Sequence, residues 1–217
     1  MRPDDEQTVG MFDGAFVGES SSLRREDGTV VDLPVTRWLG ASGEIGDRCF
    51  DDAVASRCSG PTIDLGCGPG RFLAALALRD IMVLGVDHSR TAIHMARQCG
   101  APALCRSIFD RLPGEGRWHR VLLVDGNVGI DGDPERILGR AASLVAVGGT
   151  VLVELTPDIE HVAVDTVRVE AAGEAGPWFR WARVGLLGAE RAGARAGLTI
   201  STVWEVADRQ VAEMVRM

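Results

Sequence analysis

Thr62-Ile63-Asp64-Leu65-Gly66-Cys67-Gly68-Pro69-Gly70-Arg71-Phe72 decides the reading of this chain. A short buried-strand pattern runs into three glycines at alternate positions, and a helical pattern opens at Arg71. Glycine is needed where the backbone bends sharply and a ligand comes into contact with it, because no Cβ stands in the way. A dinucleotide site spaces its glycines G-x-G-x-x-G and aims a helix N-terminus at a pyrophosphate. Here the third glycine comes one residue early, and Asp64 stands two residues before the first. A carboxylate there accepts from an ammonium group, which a pyrophosphate site has no use for. The spacing favours a nucleoside that carries an amino acid.

Outward from this turn, short apolar strands alternate with helical patterns. Ile81 to Val86, Ala103 to Arg106, Val121 to Val124 and Thr150 to Leu155 read as further strands. Ser89 caps a helix that Gly100 ends, and Asp133-Pro134 opens another with an N-cap and a first-turn proline. This alternation implies right-handed crossovers and a doubly wound, mainly parallel sheet. Leu198 to Val206 and Gln210 to Val215, joined by a short turn, must pair antiparallel. The expected fold is α/β and Rossmann-like, with seven strands, an antiparallel C-terminal pair and a small N-terminal appendage. In that appendage (residues 1–59, a cap on the 60–217 core) Asp27-Gly28 turns a hairpin over Ser22 to Leu33, and Gly43 to Cys58 is helical. Val162 to Val169 reads as a strand, Pro177 to Trp181 as an aromatic loop, and Arg183 to Gly197 as a helix.

In an open sheet of this kind ligands lie beyond the carboxyl ends of the strands. Asp87 closes the second strand about twenty residues past the glycine turn, placed to accept both hydroxyls of a ribose. His88 follows and can pack against a base. Asp125, Gly126 and Asn127 close the fourth strand.

The glycine stretch resembles the first motif of the class I methyltransferases, E/D-x-G-x-G-x-G, with Asp64, Gly66, Gly68 and Gly70 at its acidic and glycine positions. The resemblance implies S-adenosylmethionine as cofactor, S-adenosylhomocysteine as product, and the Gly66-Cys67-Gly68 backbone against the methionine and ribose. It also implies an acidic contact to the adenine amino group after the third strand. This chain has Ser107 there, so Ile108 serves through its backbone and Asp110 is the substitute carboxylate. Asp125 to Asn127 then face the transferred methyl. The Asn/Asp-Pro-Pro-aromatic motif of nucleic-acid amino-methyltransferases is missing. Leu33 to Leu39 is similar in wording to small actinobacterial methyltransferases.

Composition agrees. With 46% hydrophobic and 25% charged residues in 217, the chain can bury a sizeable core. A formal charge of −8 without a basic tract argues against a nucleic-acid partner. No apolar run is long enough for a bilayer, and the acidic Met1 to Gly10 is no secretory signal. Five irregularly spaced cysteines (Cys49, Cys58, Cys67, Cys99, Cys105) fit reduced thiols in the cytoplasm, and no metal-site spacing occurs. The acceptor is expected to be a small molecule. Trp38, Asn127 and Trp178 are candidates for its site, and His161, past the fifth strand, is the candidate base. Two other readings stay open: a module that binds the cofactor without transferring methyl, and an NAD-dependent oxidoreductase.

Overall fold

The computed structural model describes residues 12–217, apart from residues 19, 99 and 172. Cys99 and the acidic Met1 to Gly10 stretch lie outside the described residues. The elements are α1 (residues 12–16), β1 (Ser21–Arg25), β2 (Val30–Asp32), α2 (Val35–Trp38), α3 (Ile45–Arg57), β3 (Thr62–Leu65), α4 (Arg71–Ala77), β4 (Val83–Asp87), α5 (Arg90–Gln98) and β5 (Ala103–Cys105). They continue with β6 (Trp118–Leu123), a 3-10 segment (Asn127–Gly132), α6 (Pro134–Leu144), β7 (Val145–Leu155), β8 (Val162–Ala171), β9 (Glu174–Ala175), β10 (Phe179–Val184), α7 (Leu186–Arg195), β11 (Leu198–Val206) and β12 (Arg209–Arg216).

The main sheet has seven strands in the order β11-β12-β7-β6-β3-β4-β5. Strands β3 to β7 run parallel, and β12 lies antiparallel to both β7 and β11. Alternate residues of each strand point to opposite faces. Leu122, Val124 and Leu152 pack with Phe50, Phe72, Leu73, Leu76 and Ile93 of α3, α4 and α5 on one face. Val121, Leu123, Val151 and Val153 pack with Ile137, Leu138, Ala189 and Ala192 of α6 and α7 on the other. Leu122 and Leu152 are fully buried; truncating either to alanine removes about 2–5 kcal/mol. Helix α5 starts where Ser89 Oγ accepts the Ala92 N–H at 2.8 Å. Helix α6 starts where Asp133 accepts that of Arg136 at 3.0 Å. Both caps are where the sequence places them.

A second sheet, in the order β10-β8-β1-β2 with β9 on β8, corrects two expectations. Phe179–Val184 is a strand, not part of a loop: it pairs antiparallel with β8 from Phe179↔Val167 to Val184↔Val162. Helix α7 consequently begins at Leu186 rather than Arg183, whose guanidinium holds Asp165 across the pair at 2.8 Å. The hairpin forms at Asp27-Gly28 as expected, but β1 continues the sheet on β8, from Ser21↔Ala171 to Arg25↔Val167. An N-terminal strand and an insertion after β7 thus share one sheet. Gly129 ties it to the core, since a Cβ there would come within 1.9 Å of the Ala182 carbonyl oxygen. Among the described residues no helix is long and apolar enough to cross a membrane.

Candidate cofactor and acceptor site

The glycine turn sits between the ends of β4 and β6, its neighbours on either side. Gly66, Gly68 and Gly70 have φ of +78°, +51° and +93°, a region that side-chain-bearing residues enter only at a cost. The last of them opens α4. A Cβ on Gly68 would meet nothing within 4 Å, so the loop faces open space there. Cys67 points the other way. Its thiol is buried, its pKa is pushed well up by that burial, and it fills the room left by Gly85 on β4, where a Cβ would come within 2.6 Å of Sγ. Only the Cys67 backbone faces the crevice side of the turn.

Two carboxylates stand behind and beside this loop. Asp64 on β3 is 1% exposed and its Oδ1 has no hydrogen-bond partner. Burial pushes it up to about 7, against the opposing pull of Arg71, and the charges of Asp125 and Asp87 add to the rise. Asp87 Oδ2 accepts the Gly68 N–H at 2.9 Å and Oδ1 accepts the Ser89 N–H at 2.8 Å. Burial raises its pKa too, with those two backbone bonds working against it. Each oxygen keeps a lone pair, so the carboxylate is oriented without being saturated.

At the end of β6 the chain is strained. Asp125 and Gly126 both take left-handed angles, φ +56° and +80°. Asp125 is held there by its own N–H, donated to Glu154 at 2.5 Å, and by two guanidiniums. Arg71 reaches it at 2.6 Å and Arg209 at 2.8 Å. Arg71 also pairs Asp51 at 2.8 Å, and Arg209 pairs Glu154 at 2.7 Å while stacking over Phe50. Burial pushes Asp51 up to about 6. Three carboxylates against two guanidiniums leave this cluster one negative charge in excess, beside a loop built for a ligand. Sequence reading singled out Asp125 but missed its partners, which come from α3, α4, β7 and β12; of these only Glu154, a carboxylate inside an apolar strand, is conspicuous in the sequence.

Of the remaining expected residues, Asn127 spends its amide nitrogen on the Leu65 and Gly66 carbonyls, at 3.0 and 2.9 Å, and so fastens the end of β6 to the glycine loop. Ser107 Oγ accepts from the Phe109 N–H at 3.2 Å in a local turn, and Asp110 is exposed. Ile108 is buried, and its carbonyl is taken by Arg140 at 2.7 Å. His88 is half-buried next to Asp87.

Trp38 does join an aromatic group, 6.3 Å from Phe12 and 6.2 Å from Phe16. Phe12 touches Phe179, which meets Trp181 edge to face. Trp181 Nε1 lies 3.7 Å from the position of a Cβ on Gly126, so this group adjoins the end of β6. Trp178 is 44% exposed and stacks with the Arg168 guanidinium instead. His161 is exposed and borders a different cavity of about 450 Å³, with Gly132, Arg180 and Arg191; no residue of the glycine loop lines it.

A sheet of this order, carrying a glycine loop between an oriented carboxylate and a strained fourth-strand end, is that of the class I methyltransferases. Residues 63–153 match the model of the family described as "Methyltransferase domain". The match spans 91 of the 217 residues. No curated protein sequence matches it. Among solved structures, a SAM-dependent methyltransferase from Bacteroides fragilis in complex with S-adenosyl-L-homocysteine is similar over 100% of this chain and 98% of its own, with a TM-score of 0.78 at 14% identity. A 1,6-didemethyltoxoflavin-N1-methyltransferase from Burkholderia thailandensis covers 77% and 75% of the two chains, TM-score 0.57 and identity 15%. A sugar N-methyltransferase from Streptoalloteichus covers 76% and 84%, TM-score 0.55 and identity 19%. These likenesses establish the fold.

Proposed function

We propose that this protein is an S-adenosylmethionine-dependent methyltransferase acting on a small-molecule acceptor. One observation carries the reading. The Gly68 N–H and the Asp87 carboxylate are locked together at the mouth of a glycine loop that has a buried, partnerless carboxylate oxygen behind it. The residues fit the cofactor. Asp87 offers lone pairs for the ribose hydroxyls, Asp64 a carboxylate for the ammonium, and the Gly66 to Gly68 backbone a surface without side chains. The excess negative charge of the Asp51, Asp125 and Glu154 cluster suits a cation.

When bound, the cofactor supplies a methyl group already activated on a sulfonium, so the hard chemistry is its own. This chain's part is to position and to exclude water. Asp125, fixed by Arg71, Arg209 and Glu154, sets the backbone at the end of β6; Gly126 leaves room beside it; the aromatic group of Trp38, Phe179 and Trp181 walls the acceptor side. Positioning alone is worth roughly 7–11 kcal/mol when geometry is good. The acceptor is read as a small molecule from the chain's negative charge and from the substrates named for the toxoflavin and sugar methyltransferases it resembles. Residues 1–59 act as a cap on the 60–217 core. The free thiols of Cys49, Cys58, Cys67 and Cys105 support a reducing, cytoplasmic setting.

Calorimetry with S-adenosylmethionine, S-adenosylhomocysteine and NAD tests the reading. Micromolar binding of either sulfur nucleoside supports it, and binding of NAD alone overturns it in favour of an oxidoreductase. A second reading, binding without transfer, is favoured by the ion pairing of Asp125 and Glu154, which commits both carboxylates to arginines. Formation of S-adenosylhomocysteine in the presence of a panel of hydroxyl and amine acceptors, above the rate without protein, would exclude it.

A further inference from the structure

Asp13 lies far outside the segment that matches the methyltransferase domain, yet its carboxylate accepts the hydroxyl of Ser89. Ser89 in turn gives its N–H to Asp87 Oδ1 at 2.8 Å. Two carboxylates 74 residues apart in the sequence therefore converge on Ser89, just past the end of β4, and the charge of Asp13 is among the influences that raise Asp87. Like charges brought together cost free energy unless something shared between them donates hydrogen bonds or carries positive charge.

The same short helix reaches the other side of the crevice. Phe12 and Phe16 of α1 pack on Trp38, and Phe12 on Phe179, next to the Trp181 ring that adjoins Gly126 at the end of β6. In the sheet, β3 stands between β4 and β6. Helix α1 thus makes contacts near both outer ends, on either side of the strand that the glycine turn follows.

Resting on the cofactor reading above, we infer that α1 roofs the cofactor crevice and that Asp13 is a positioning and specificity-determining residue, closing on the ribose hydroxyls opposite Asp87. A ribose with two free hydroxyls supplies the donors that a pair of carboxylates lacks. A ribose bearing a phosphate meets two negative charges and is rejected. Through Phe12 and Phe16 the same closure completes the aromatic wall of the acceptor side, so cofactor occupancy and acceptor-site assembly are coupled.

The test uses the full chain with S-adenosylhomocysteine as probe, read by calorimetry and by hydrogen exchange of residues 12–16. Saturating the wild type is expected to slow exchange in α1 at least fivefold. Asp13→Ala is expected to raise Kd about tenfold, the order of one lost bond to a charged group, and to abolish that protection. Ser89→Ala breaks the contact present without ligand but keeps the carboxylate, and is expected to retain affinity within about threefold of wild type. If Asp13→Ala binds like wild type, or α1 exchange ignores the ligand, or Ser89→Ala loses as much affinity as Asp13→Ala, the inference is overturned while the cofactor assignment stands. If the wild type gives no binding heat at all, the cofactor assignment falls and takes this inference with it.

Discussion

The Gly68 backbone N–H and the Asp87 Oδ2 atom are 2.9 Å apart, which makes the carboxylate closing β4 a structural part of the loop that follows β3. Asp87 therefore holds the turn, and under the proposed function it also offers lone pairs to a sugar. Asp87→Ala removes both. It is expected to weaken S-adenosylhomocysteine binding at least tenfold, about 1.4 kcal/mol, in isothermal titration. Unchanged affinity in a folded variant would refute the assignment.

Under the proposed function, Asp64 is expected to make cofactor affinity depend on pH. Its carboxyl, pushed up to about 7, must be ionised to hold an ammonium. Affinity for S-adenosylmethionine is expected to rise between pH 6 and pH 8, and Asp64→Asn to flatten the curve. The stability of the free protein runs in the opposite sense. With the folded value above the ordinary 3.8, the folded state binds the proton more tightly than the unfolded chain. Stability from Asp64 is thus fully present below about 4 and lost as pH rises through about 7; Asp51, pushed up to about 6, acts the same way. Urea unfolding across this range, compared with Asp64→Asn and Asp51→Asn, checks the sign.

Arg209 pairs both Glu154 and Asp125 from a nearly buried position. Arg209→Met keeps its bulk over Phe50 but leaves Glu154 without its guanidinium beside Asp125, which retains only Arg71. A loss of about 3–5 kcal/mol in urea unfolding is expected. Turnover should fall as well, because Asp125 loses one of the two guanidiniums that hold its left-handed conformation. A variant as stable as wild type would show that the cluster is not holding the site together.

Gly66→Ala strikes the loop directly. Its φ of +78° disfavours any side chain, and the new Cβ would stand 2.6 Å from Asn127 Nδ2. The Asn127 bonds to Leu65 and Gly66 must then break. Cofactor binding is expected to drop at least tenfold, about 1.4 kcal/mol, with only partial recovery in Gly66→Ala/Asn127→Ala, since the backbone angle stays unfavourable. Calorimetry on the single and double variants separates clash from strain.

The main sheet is legible in the sequence because its strands are locally marked: Thr62 to Leu65 runs straight into the glycine turn, Val121 to Val124 is wholly apolar, and Ser89, Asp133 and Pro134 announce helix starts. The second sheet is not. Its pairing of Ser21 with Ala171 depends on contacts between distant segments that no local pattern encodes, and Trp178-Phe179-Arg180-Trp181 looks like an aromatic loop until β8 gives it a partner. The same holds for the site. Asp64, Asp87 and the glycines stand at fixed distances along the chain, whereas Arg71, Arg209, Asp51 and Asp13 meet only through the fold. A lone arginine in a turn, such as Arg209, carries no mark of the two carboxylates it serves.

The β1–β8 pairing also has a consequence for biogenesis. Ser21 is translated 150 residues ahead of its partner Ala171, roughly 7–30 s at ordinary elongation rates. Throughout that interval the hairpin has an unmated edge, and the nascent polypeptide must keep it from pairing with strangers. The parallel core up to β7 is emitted first and is free to collapse while the ribosome is still at work. Strand β1 is thus made before the parallel core and secured after it, so slow translation or truncation before residue 171 should favour aggregation over a partly working enzyme.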